Sequence, residues 1–179
     1  MKSKRKTIIK LQQIVSSGYI PSRSYEKYFG FTQRFEKFED MTNCFGHAVF
    51  NLKNSQFNDI DFTYEDGTNL GAFSTSPFLP IKSVEKEFCE FVYSTGLKIF
   101  PEIQKGILKN NEWRVALYFE KKSDDLSREF HWLLQERNGK WSGKMGYSNQ
   151  VETYFEIPSQ IGNYELYKTY LVKNQFTRE

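Results

Sequence analysis

The chain has 179 residues, 39% hydrophobic and 17% aromatic. That length suits one folded domain, and the composition excludes a disordered or low-complexity chain. The net charge of +3 is too small to point to nucleic acid. Two cysteines, Cys44 and Cys89, do not make a disulfide framework and fit a reduced, cytoplasmic protein.

Lys2, Lys4, Arg5, Lys6 and Lys10 concentrate positive charge at the N-terminus, and the remainder carries 20 basic against 22 acidic residues. Ile8, Leu11, Ile14 and Val15 fall on one face at helical spacing. Residues 1–20 are therefore expected to form a basic amphipathic helix, part of a single domain spanning 1–179. Lys10, Gln12 and Gln13 interrupt the apolar run, so it does not read as a signal peptide, and no segment reads as a membrane span.

"SSGYIPSRS" is a turn region broken by Gly18 and Pro21. "YEKYFGFTQRFEKFEDM" is a second expected helix, weakened at Gly30. "NCFGHAVFNLK" is a third, with Thr42 as N-cap and Phe45, Ala48, Val49 and Leu52 inward. The polar stretch 54–80 reads as loops. Its Asp59, Asp61, Glu65 and Asp66 lack metal-ligand spacing. "SVEKEFCEFVYSTGLK" is expected to be helical from Ser83, with Phe88, Phe91 and Val92 inward and Cys89 beside them. "PEIQKGILK" adds a further helical turn.

The period then changes to two. "EWRVALYFEK", "REFHWLLQER", "KWSGKMGYS", "VETYFEI" and "YELYKTYLV" read as strands. Helices first and an antiparallel sheet after make an α+β domain. Asn138-Gly139 predicts a two-residue hairpin turn. With that turn, Arg137 pairs with Lys140, Gln135 with Ser142, Leu133 with Lys144 and His131 with Gly146. His131, Gln135, Ser142 and Lys144 then share one face, and Trp132 and Trp141 point to the core.

Cys44 stands near the start of its expected helix, where unpaired amides and the helix dipole favour a thiolate. Those amides also suit an oxyanion. Cysteine chemistry further needs a base, and His131, on a strand far downstream, is the candidate. Gln135, Ser142 or Asn149 would orient its ring, and the sequence leaves that choice open. Asn43, Lys144 and Gly146 are candidates for holding substrate. The ordinary alternatives are a buried structural cysteine and a structural strand histidine.

"NCFGHA" resembles the N-C-Y-A-Y-A segment of a family of small bacterial and phage proteins with a papain-like, NlpC-type cysteine-hydrolase fold. "HWLLQERNGKWSGKMG" is similar to that family's H-W-Y-R-Q-D-x-x-G-x-W-S-H-K-P-G segment. His131, Trp132, Gln135, Gly139, Trp141, Ser142, Lys144 and Gly146 match without a gap, and Glu136 replaces the acidic residue. Gly143 stands where the family has histidine, Met145 where it has proline, and His47 where it has an aromatic residue. The resemblance covers these two segments. It implies a papain-like fold, with the cysteine at a helix N-terminus packed on an antiparallel sheet, and a Cys44–His131 pair.

The sequence thus points to a peptidase or amidase acting on a peptide or protein. The alternative is a non-catalytic binding or inhibitor protein of a phage or mobile element on the same scaffold. No phosphate loop, CxxC pair or HExxH motif is present, so no cofactor or metal is expected. The substrate and oligomeric state stay open.

Overall fold

A computed structural model describes residues 4–18, 44–50, 80–121, 127–144 and 151–177. The fold is a mixed α and β arrangement built on one antiparallel sheet. The helical elements are α1 (Lys4–Ser16), a π-helical segment (Gly46–Phe50) continuing from Cys44 and Phe45, and α2 (Ile81–Ser94). The strands are β1 (Lys98–Pro101), β2 (Glu112–Lys121), β3 (Ser127–Gln135), β4 (Trp141–Lys144), β5 (Val151–Tyr154), β6 (Gln160–Ile161) and β7 (Tyr164–Lys173). Their order is β1-β7-β2-β3-β4-β5, with β6 added to the outer edge of β7.

Period-two alternation gives this sheet two buried faces. Trp113, Val115, Leu117, Phe119, Trp132, Leu134, Tyr170 and Val172 pack under the helical elements, against Leu11, Val15, Phe45, Phe88 and Phe91. Ala116, Tyr118, Leu133, Trp141 and Ile161 form the second cluster, on the other face. Trp132 and Trp141 are both core residues, but they belong to different faces. Phe88 holds the first cluster together, edge-on to Phe130 at 4.8 Å and to Trp132 at 5.1 Å.

α1 follows its expected stripe, with Leu11 and Val15 buried and Ile8 and Ile14 beside them. Its C-terminal end is tied down by Asn174, whose side-chain amide donates to the Val15 carbonyl at 3.0 Å. α2 starts at Ile81, directly after Pro80, and not at Ser83. Residues 102–110 are a loop and not a helical turn, and β1 was not anticipated. The expected helix over residues 25–41 lies outside the described residues.

A bulge in β7 docks α2. The register against β2 shifts between Leu117↔Lys168 and Tyr118↔Leu166, leaving Tyr167 as the extra residue. Tyr167, Lys168 and Tyr170 consequently all reach one carboxylate. Glu85 accepts from the Tyr167 hydroxyl at 2.7 Å, the Tyr170 hydroxyl at 2.7 Å and Lys168 Nζ at 2.8 Å. Burial pushes the Glu85 carboxyl up, but these three donors outweigh it and hold the pKa below its ordinary 4.5. A depressed carboxyl stabilises the fold above its unfolded pKa, and that contribution fades as pH falls through the folded pKa. Glu85→Gln is expected to cost about 1.5–3 kcal/mol at pH 7. Acid titration of thermal stability checks the assignment: the wild-type advantage over Glu85→Gln should shrink below the ordinary carboxyl pKa.

Candidate active site

The hairpin that carries the candidate residues turns differently from expectation. Leu134 pairs with Ser142 and Gln135 with Trp141. The Glu136 amide donates to the Lys140 carbonyl at 2.7 Å, and the Gly139 amide to the Glu136 carbonyl at 2.9 Å. The loop is therefore three residues, Arg137-Asn138-Gly139, closed by Gly139 at φ +87°. A three-residue turn ending in a left-handed glycine is the next commonest hairpin solution. Asn138 reinforces it by accepting from the Lys140 amide at 2.9 Å.

That one extra loop residue shifts the register by one, and a one-residue shift exchanges faces. The expected grouping of His131, Gln135, Ser142 and Lys144 on one face is corrected accordingly. Ser142 lies with Leu134, Trp132 and Glu136 on the helix-bearing face. His131, Leu133 and Gln135 lie on the opposite one, with Trp141 and Gly143. A Cβ at Gly143 would meet Leu133 Cδ2 at 2.3 Å and His131 Nε2 at 3.0 Å. Gly143 is thus the surface on which the imidazole lies, and no side chain fits there.

Cys44 is on the helix-bearing face, yet it meets β3 beside His131. The Trp132 carbonyl faces β4, 3.3 Å from where a Cβ on Gly143 would lie. The Trp132 amide bonds the Cys44 thiol. The sulfur therefore lies against the β3 backbone at Trp132, the residue that follows His131 in the chain.

Burial pushes the Cys44 thiol up to about 12. The backbone amides of Trp132, Phe45 and Cys44 itself, and the charge of Lys144, pull the other way without overcoming it. Those amides and that cation are the donors an anion at the sulfur would use. Cys89 is half-buried, and burial with the Glu85 charge raises its thiol to about 11.

His131 is buried, at 5% exposure, and its Nε2 has no hydrogen-bond partner. Burial lowers its pKa, partly opposed by Glu152, so the ring is neutral at pH 7. Its ring centroid lies 5.8 Å from that of Tyr164, whose hydroxyl donates to Glu129 at 2.5 Å. Burial, Glu129, Glu120 and Cys44 all raise the Tyr164 phenol, which places Tyr164 within electrostatic reach of the sulfur as well.

The expected orienting residues are otherwise engaged. Gln135 accepts from Arg114 Nη1 and donates to the Gly139 carbonyl at 3.2 Å. Ser142 donates to Glu136 Oε1 at 2.5 Å and lies 3.3 Å from His47 Nε2. Its single hydrogen is committed to Glu136, so His47 is the donor to it. The chain His47–Ser142–Glu136 pins the π-helical segment to the hairpin. Ser142→Ala would remove the buried hydroxyl that joins His47 to Glu136; a loss of about 1–3 kcal/mol is expected, read by denaturant unfolding. Lys144 is buried near Cys44, as its influence on the thiol shows. Asn43, Gly146 and Asn149 lie outside the described residues.

Sequence reasoning missed the roles of His47, Glu136, Tyr164 and Glu152. His47 and Glu136 were visible as a histidine near the cysteine and an acid beside the turn, but their meeting depends on the hairpin register. Tyr164 and Glu152 reach His131 only through strand order. Among the described residues, no group of three or more His, Cys, Asp or Glu residues could hold a metal ion. No helix among them is long and apolar enough to cross a membrane. No family model, curated protein or solved structure matches the chain.

Proposed function

We propose that the protein is a cysteine-dependent hydrolase of an amide or ester bond in a peptide or protein, with Cys44 as nucleophile and His131 as base. The observation that carries this reading is that the Cys44 thiol rests on the amide of Trp132, whose chain neighbour His131 has a buried Nε2 without a partner. An unpaired polar atom in a core costs about 1–3 kcal/mol, and on this reading the free nitrogen is kept as a proton acceptor. The reading requires the imidazole to turn from the Gly143 surface toward the Cys44 sulfur.

In that arrangement His131 takes the Cys44 proton as sulfur attacks the carbonyl carbon. The amides of Phe45, Cys44 and Trp132, with Lys144, which act on the sulfur, would offset the oxyanion charge. As the tetrahedral adduct collapses, His131 gives the proton to the departing amine or alcohol, leaving a thioester on Cys44. Water, deprotonated by His131, then attacks the thioester and releases the acid and the thiol.

A second reading has its own observation. Cys44 packs in the core cluster under the helical elements, His131 projects from β3 on the opposite face beside Tyr164, and the thiol is held protonated, which suits a non-catalytic binding protein on this scaffold. An activated ester separates the two. The hydrolase should release a burst of p-nitrophenol from p-nitrophenyl acetate, with acetyl mapped to Cys44 and lost in both Cys44→Ala and His131→Gln. Acetyl on Cys89 alone, or none on either cysteine, supports the binding protein and ends the hydrolase reading.

A further inference from the structure

The loop 102–110 spends its apolar residues on water. Ile103 is 93% exposed and Ile107 101%, and Phe100 beside them is 42% exposed. Phe100, Ile103, Ile107, Leu108 and Leu171 line one shared hollow of about 320 Å³, which places the isoleucines in a single patch. An isolated exposed apolar residue is ordinary, but a clustered pair at full exposure marks a contact surface.

The loop is held in this shape from below. The Arg114 guanidinium bonds both Glu102 oxygens, at 2.5 Å from Nε and 2.6 Å from Nη2, and Nη2 also donates to the Gly106 carbonyl at 3.0 Å. The Glu102 amide donates to the Thr169 carbonyl at 2.9 Å, and the Lys109 amide to Glu112 at 3.0 Å. The patch is therefore a fixed projection, ordered before any partner arrives.

Its free charge is one-sided. Lys105 and Lys109, in the same loop as the isoleucines, and Lys98 on β1 are exposed. The two acids that line the hollow are paired, Glu102 with Arg114 underneath and Glu112 with Lys173 at 3.8 Å. A protruding apolar tip on a lysine-bearing loop matches an anionic bilayer, where isoleucines enter the acyl boundary and lysines meet the headgroups. We propose that the loop 102–110 docks the protein on an anionic lipid surface. This proposal does not depend on Cys44.

Vesicle co-sedimentation of the full chain tests it, with phosphatidylcholine alone and with added phosphatidylserine. Binding is expected only with phosphatidylserine and should weaken as salt rises. Ile103→Asp/Ile107→Asp is expected to lower the bound fraction roughly tenfold or more, with unchanged circular dichroism and melting temperature. Lys105→Glu/Lys109→Glu should do likewise, while Arg5→Glu on the basic helix should leave most binding intact. No binding to phosphatidylserine vesicles at low salt overturns the proposal. So does binding that the loop variants leave unchanged but Arg5→Glu removes, or a loop that captures an acidic peptide while ignoring vesicles.

Discussion

Arg114→Met is expected to destabilise the protein by about 3–5 kcal/mol, the largest effect of any single substitution discussed for this fold. The Arg114 and Glu102 side chains are 7% and 8% exposed, so removing the cation leaves a carboxylate buried with nothing to balance it. The same change frees Gln135 at the end of β3 and releases the Gly106 carbonyl. Arg114→Lys should recover only part of the loss, because one ammonium cannot serve Glu102, Gln135 and Gly106 in a planar fork. Arg114→Met/Glu102→Met should be much closer to wild type than Arg114→Met, since the buried charge goes with its partner. Urea unfolding of the four proteins measures this. Equal losses in the single and double variants would show that the ion pair is not what holds the loop to the sheet.

His131→Leu is expected to act in opposite directions on stability and activity. The buried Nε2 has no hydrogen-bond partner; Gly143 and the Tyr164 ring lie beside the imidazole, and Glu152 acts on it only through its charge. An apolar side chain of similar volume removes the unpaired nitrogen, so stability should rise by about 1 kcal/mol. Hydrolysis of an activated ester should meanwhile fall by two orders of magnitude or more, roughly the loss of a general base. This is the behaviour of a residue kept for chemistry at the expense of packing. A clear loss of stability in His131→Leu would instead show that the imidazole is a structural member of this face.

Much of the architecture was legible in the order of periodicities. Leu11 and Val15 on α1, Phe88 and Phe91 on α2, and the alternation of β2 and β3 all follow from spacing alone. β1 was not, because "KIFP" is four residues and gains its identity by pairing with Leu171 and Val172. The loop 102–110 has helix-compatible residues but is shaped by Arg114, a contact that no local pattern announces. The site shows the same division. That Cys44 and His131 suit a nucleophile and a base was legible as an expectation; which face each side chain takes was not. Asn138-Gly139 suits both a two-residue and a three-residue turn, and the choice is made by Glu136 and Lys140 closing the loop. One residue of register then decides that Ser142 meets His47 and Glu136 rather than His131.

The pairing of Cys44 with His131 is tested most directly by the pH dependence of Cys44 alkylation. In the resting arrangement the thiol is raised to about 12 and the imidazole is neutral with a lowered pKa. If the two form an ion pair when His131 turns toward Cys44, iodoacetamide should modify Cys44 at a rate that already reaches a plateau near neutral pH, below the ionisation of Cys89 at about 11. In His131→Gln that plateau should vanish, leaving one ionisation near 12. A wild-type profile that rises only with that single high ionisation, unchanged by His131→Gln, would contradict a catalytic pair.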